Sequence, residues 1–293
     1  MGMRIRTNVS SLTAQRHMTN NNSDMQNSME KLSSGYRINK SADDAAGLAI
    51  SENLRGQIRG LNVAKRNAND AISLVQVAEG SMNEMTNIMI RLRELTTQSA
   101  SDTLGDKERT FLNKEYTQLV DEMDRIAKST EFNGTKMFDE ANDMTEFVIQ
   151  VGTRGTEPDE NIDTLKINLE GLKFSAESLG FGKESEIGAK EVGDSGPSRQ
   201  EIAEKLTTID TALERFANER ATLGAVQNRL GSAISNLGVS IESQEAAKSR
   251  IKDVDFASET AVMTQARIMT QANLSTLAQA NAAPEMALSL LRS

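Results

Sequence analysis

The stretch LNVAKRNANDAISLVQVAEGSMNEMTNIMIRL, residues 61–92, decides how this chain is read. In it Leu61, Ala64, Ala68, Ala71, Val75, Ala78, Met82, Met85, Met89 and Leu92 fall at alternating steps of three and four. That heptad spacing draws one apolar row along a helix. Neither Pro nor a run of turn residues interrupts Asp44 to Ser99, so one continuous helix is expected there, roughly 80 Å long at the usual rise per residue. Such a helix has to pack lengthwise on other helices.

Two further segments supply partners. After a turn at 99–106, Leu112, Tyr116, Leu119, Met123 and Ile126 repeat the spacing, and the helix they mark is expected to fold back as an antiparallel hairpin ended by Phe132-Asn133-Gly134. After Pro197, Ile202, Ile209, Phe216, Leu223, Leu230 and Leu237 recur every seven residues over a helix of about 198–250, while Arg220 and Gln227 interrupt a second line through Leu206, Leu213, Ile234 and Ile241. Three such helices close one bundle. Between them the period drops to two: Phe147, Ile149 and Val151, then Leu165, Ile167 and Leu169, mark a β-hairpin with a long loop. Six Gly between 171 and 196 indicate loops. The fold class is therefore mainly α: an elongated three-helix coiled-coil rod with a small β-hairpin region and paired N- and C-terminal helices.

Composition agrees with this. Of 293 residues 38% are hydrophobic but only 3% aromatic, with no Trp, so the core is expected to rest on Leu, Ile, Val, Met and Ala. The net charge of −9 argues against nucleic acid, whose phosphates need a basic surface. Residues 139–196 hold 14 acidic and 5 basic side chains, which carries the whole imbalance and marks the middle as the solvated part. With no Cys there is no thiolate chemistry and no disulfide. Met1 to Asn8 has no apolar core and no stretch of 18 apolar residues occurs, so neither a cleaved secretory signal nor a membrane partner is expected.

The two ends differ from the bundle. Ile5, Val9, Leu12, Met18, Met25, Met29 and Leu32 form a thin stripe on a polar helix of about 5–34, which Gly35 is placed to end. Ser41 to Asp44 fits a capping box for the long helix, with Ser41 as the cap. The last segment, 255–291, is rich in Ala, Ser, Thr and Gln, with Ile268, Met269, Leu277, Leu288 and Leu291 among its few apolar residues and Pro284 expected to bend or restart it. One narrow apolar face does not hold a helix in water. The ends are positioned to pair, and the pair is expected to order by burial against copies of itself, which makes the chain a self-assembling subunit.

The residues that join these parts resemble the bacterial flagellins. They are Leu32-Ser33-Ser34-Gly35-Tyr36-Arg37-Ile38-Asn39, Asp43-Asp44-Ala45-Ala46-Gly47-Leu48-Ala49-Ile50 and Phe132-Asn133-Gly134-Thr135-Lys136, followed by Leu223-Gly224-Ala225-Val226-Gln227-Asn228-Arg229-Leu230, Ser249-Arg250-Ile251-Lys252-Asp253-Val254-Asp255 and Leu277-Ala278-Gln279-Ala280-Asn281. The likeness covers about 1–170 and 198–293, and the short middle lacks the large variable outer domain of many flagellins. It implies an N-terminal inner-core helix at 1–42, outer-core rod helices at 43–138, an acidic β-hairpin and loop region at 139–197, a C-terminal rod helix at 198–252 and a C-terminal inner-core helix at 253–293.

The resemblance further implies a homo-oligomeric, hollow, extracellular flagellar filament that transmits motor torque. It implies type III export without a cleaved signal peptide, an export chaperone on the C-terminal segment, and junction and cap proteins as neighbours. A patch for the animal innate-immune flagellin receptor is implied as well: Arg91 and Leu95 match its core and Glu115 its flanking acid, the alternative being that they serve subunit packing.

Other classes fare worse. A hook-filament junction protein would share the terminal helices without polymerising indefinitely. An enzyme is not expected and no cofactor is implied: His17 is the one histidine, so there is no helical His-Glu-x-x-His pair for zinc and no His-based triad, and no phosphate-binding loop occurs. A monomeric coiled-coil binding protein would account for the heptads but not for two unshielded terminal stripes.

Overall fold

The computed structural model describes the backbone of residues 7–138, 146–153, 161–168, 171, 173–176, 178–181, 187–188 and 198–292, and their side chains except at 161, 199 and 283–292. Five α-helices lie in the described residues: α1 Val9–Ser34, α2 Ala45–Ser99, α3 Asp106–Ser129, α4 Arg199–Lys252 and α5 Phe256–Arg292. Two antiparallel strand pairs accompany them, β1 Glu131–Phe132 with β2 Thr135–Lys136, and β3 Glu146–Gln150 with β4 Thr164–Asn168. The chain divides into two compact units, Met1–Ile58 with Glu242–Ser293, and Arg59–Ile241.

The second unit is a three-helix bundle built on the heptad row. All ten residues of that row are buried. α3 runs antiparallel to α2, since Arg91 pairs with Glu115 while Ser81 accepts from the Thr130 hydroxyl at 3.0 Å. α4 is antiparallel to α2 as well: Arg93 meets Asp210 at 2.6 Å, and Leu237 packs with Leu61 and Ala64. The every-seventh row of α4 is buried throughout. Its second line is shared between neighbouring positions: Leu213, Ile234 and Ile241 are partly buried and pack against the core as expected, while Ala212 and Val226, one residue earlier in the repeat, are fully buried. Arg220 and Gln227 are the half-buried polar positions of that line.

The acidic middle departs from expectation. Its expected hairpin forms, with Phe147 opposite Ile167 and Ile149 opposite Leu165, Leu165 and Ile167 buried and Val148 facing water. However, Phe174, Leu179, Phe181 and Ile187 are also buried in the bundle core. Phe174 stacks on Phe216 with centroids 4.2 Å apart and meets Phe138 at 6.0 Å. The middle is thus not simply solvated, and the core is not purely aliphatic. A bundle of three helices leaves an open flank, and these aromatic side chains fill it.

Between α3 and the hairpin, Asn133 (φ 51°) and Gly134 (φ 77°) close the β1–β2 turn in left-handed conformations. Two consecutive positive φ values make a two-residue hairpin turn whose twist matches the strands.

In the first unit α1 and α5 pack along their length with backbones within 8 Å. Gly35 ends α1 in the left-handed conformation (φ 75°), its N–H donating to Lys31 O at 2.9 Å. The cap of α2 differs from expectation. Asp44, not Ser41, accepts from Gly47 N at 2.8 Å, while Asp43 Oδ2 accepts from Asn39 N at 3.0 Å and Lys40 N at 2.9 Å to close the preceding turn. With two carboxylates side by side, each takes the donors nearest it, and a Cβ on Gly47 would lie 2.4 Å from Asp44 Oδ2. Nor does Pro284 restart α5, which is helical through to Arg292. A single proline withholds one hydrogen bond from a long helix, and the neighbouring turns carry it through.

Candidate assembly surface

Two chain segments cross in a short antiparallel bridge where α1 gives way to α2 and α4 to α5. Arg37 N donates to Lys252 O at 2.7 Å and Val254 N to Gly35 O at 3.0 Å. The Arg37 guanidinium donates to Ile251 O at 2.7 Å, the Lys252 ammonium stands 5.0 Å over the Tyr36 ring, and it also meets Glu52 at 3.2 Å. These contacts hold both linkers together and so fix where α1 and α5 begin their pairing.

The seam between those helices mixes small and polar residues with a few Met and Leu. On α1 it comprises Ser11, Ala14, Met18, Asn21, Met25, Ser28 and Leu32, and on α5 Met263, Ala266, Thr270, Asn273, Leu277 and Ala280. Ser11, Ala14, Ser28 and Ala266 are the buried members. Small side chains let the backbones approach, but they remove little apolar area from water. This pair is weakly held by its own seam.

The expected assembly residues divide accordingly. Met25, Leu32 and Leu277 belong to the seam. Val9, Leu12 and Met29 on α1, and Ile268 and Met269 on α5, point outward, each between 47% and 62% exposed. Ile5 and the side chains of Leu288 and Leu291 lie outside the described residues. The sequence reading merged the two faces because steps of three and four join 9, 12 and 29 to 18, 25 and 32 equally well. It also missed Val262 and Leu274, which like Phe256 are exposed on α5. Phe256, Ala261, Ile268 and Met269 line a shallow apolar groove along that helix.

The three patch residues on the bundle are not equivalent. Arg91 is half exposed and pairs with Glu115 at 2.7 Å and Glu94 at 2.9 Å, hydrogen bonds that hold its guanidinium more firmly charged than usual. Leu95 is fully buried in the core. Of these two residues one turn apart on α2, Arg91 alone offers its side chain to solvent.

His17 is exposed on α1, and among the described residues no group of three His, Cys, Asp or Glu is placed to hold a metal. No described helix is long and apolar enough to cross a membrane.

Comparison with known proteins bears on this surface. Residues 5–143 match the family model of the bacterial flagellin N-terminal helical region, and 206–291 that of the C-terminal helical region. The chain is 41% identical to a flagellin of Halalkalibacterium halodurans over 99% of its own length and 100% of the relative. It is 40% identical, with the same coverage, to the flagellar filament 33 kDa core protein of Treponema phagedenis. A solved putative flagellar hook-associated protein from Vibrio parahaemolyticus shares the fold, with a TM-score of 0.60 at 14% identity over 72% of this chain and 100% of that one. Both terminal regions and full-length relatives agree, and the chain belongs to the bacterial flagellins.

Proposed function

We propose that the chain is the structural subunit of an extracellular flagellar filament, with the α1–α5 pair driving its assembly. One observation carries the reading: among the described residues the pair fully buries small side chains alone, Ser11, Ala14, Ser28 and Ala266, and leaves the larger apolar Val9, Leu12, Met29, Ile268 and Met269 facing outward. A face of this kind loses free energy in water and recovers it against another copy. The three-helix bundle then forms the outer layer, and torque passes along the stacked helices. The hook-associated likeness bears on fold alone, whereas the named full-length relatives are a flagellin and a filament core protein.

The test is electron microscopy of the purified full chain, seeded or salted out, beside a version lacking 1–40 and 255–293. Tubular filaments from the full chain alone are expected. A full chain that stays monomeric with good seeds favours a junction protein instead, and filaments from the shortened version overturn the role of the terminal helices.

Export without a cleaved signal, a chaperone on the C-terminal helix, cap and junction neighbours and a host immune receptor are part of the same proposal. For the receptor, the Arg91–Glu115 pair is the exposed element, with Leu95 buried one turn away on α2. Arg91→Ala is expected to abolish receptor activation while leaving filaments intact, since an exposed pair contributes about 1 kcal/mol or less to stability. Unchanged activation removes the patch.

A further inference from the structure

Pro284 carries no N–H, so the carbonyl four residues earlier in α5, that of Ala280, lacks its helical donor. The structure supplies one from the far end of the sequence: Asn8 Nδ2 donates to Ala280 O at 2.7 Å. Asn8 is at the same time the N-cap of α1, its Oδ1 accepting from Ser11 N at 3.1 Å and its own carbonyl accepting from Leu12 N at 3.2 Å. Beside this contact the Ser11 hydroxyl donates to Asn281 Oδ1 at 2.8 Å.

We propose that Asn8 and Pro284 form a register lock, in which the proline frees a carbonyl of α5 so that the cap residue of α1 can bind it. The rest of the seam is poor in register information. Its buried positions are small and its Met side chains are unbranched and adaptable, so the two helices can slide by one repeat with little change in packing. A free carbonyl occurs once per proline, and a side-chain amide able to cap one helix while donating to another fits it in one alignment only. A slip by one repeat would leave Ala280 O without a partner and Asn8 Nδ2 facing a carbonyl already satisfied within α5. The inference goes beyond the filament reading and requires only that α1 and α5 pair.

The test is a double-mutant cycle in the full chain with Asn8→Ser, Pro284→Ala and the two combined. Ser caps a helix about as well as Asn but is too short to bridge, so this change separates the two roles of Asn8. The readout is amide hydrogen exchange of peptides covering 9–16 and 276–283, in the soluble chain and in polymer. With Pro284 present, Asn8→Ser is expected to speed exchange about tenfold, the effect of leaving one partly buried acceptor unpaired. In the Pro284→Ala background, where the helix satisfies Ala280 O itself, the same change is expected to matter less than about twofold. Equal acceleration in both backgrounds, no acceleration in either, or no protection of these peptides in the parent overturns the lock. A parent chain that forms no polymer overturns the filament proposal instead, and exchange in the soluble chain still decides the lock.

Discussion

Gly188→Ala tests whether the acidic middle is structurally part of the bundle. A Cβ at this position would lie 2.4 Å from Arg109 O and 2.9 Å from Arg109 C, backbone atoms of α3 that do not swing aside. An ordinary carbon–oxygen contact is about 3.3 Å or more, so the segment has to retreat by about 1 Å. The neighbouring Ile187 anchors it by three interactions. Ser99 Oγ donates to Ile187 O at 2.6 Å, Ile187 N donates to Asn113 Oδ1 at 3.0 Å, and the Ile187 side chain is fully buried. If the segment stays seated, overpacking costs about 1–3 kcal/mol. If it lifts away, two hydrogen bonds of about 1 kcal/mol each and the burial of an Ile, worth about 1.5–3 kcal/mol, are lost. The expected destabilisation is about 2–4 kcal/mol between those routes, measured by urea unfolding of the full chain followed by far-ultraviolet circular dichroism. Gly80→Ala is the contrast: nothing lies within 4 Å of its added Cβ in the exposed middle of α2, and a gain of about 0.5–1 kcal/mol is expected from helix propensity. A Gly188→Ala chain within about 0.5 kcal/mol of the parent, the range of neutral surface changes, would refute the reasoning.

Asp44→Ala should cost about 1 kcal/mol by removing the acceptor for Gly47 N, whereas Ser41→Ala should cost nothing measurable; thermal melts of the two variants decide between them. Hydrogen bonds from Lys40 N and then Asn39 N hold Asp43 below its ordinary value of 3.8. A carboxylate depressed in the folded state stabilises above its unfolded value, and that contribution fades as pH falls through the folded one. The amides of Asn39 and Lys40 should therefore keep their shifts by nuclear magnetic resonance until the pH is below 3.8, and Asp43→Asn should abolish the transition. Phe216→Ala removes a fully buried ring stacked on Phe174 and should destabilise the bundle by about 3–5 kcal/mol, read from the same urea unfolding. A loss near 1 kcal/mol would mean that the middle segment collapses into the space.

Local pattern determined most of this architecture. The heptad rows of α2 and α4 and the period-two strands β3 and β4 are legible because a helix or strand buries whichever residues its own period brings to one face, and that period is written in the chain. The Asn133-Gly134 turn and the Gly35 stop are legible because few residues tolerate positive φ. The likeness to flagellins rested on contiguous blocks of this kind. What the tertiary structure alone decided involves pairing between distant segments: which of two carboxylates caps α2, that Phe174 and Ile187 leave an acidic segment to close the bundle, and that Leu95 turns inward. It also decided that the terminal stripe is two faces, Met18, Met25 and Leu32 against α5 and Val9, Leu12 and Met29 outward. A stripe on one helix states that some surface avoids water, but only the neighbour's position determines which part of it is covered within the chain and which part is left for another copy.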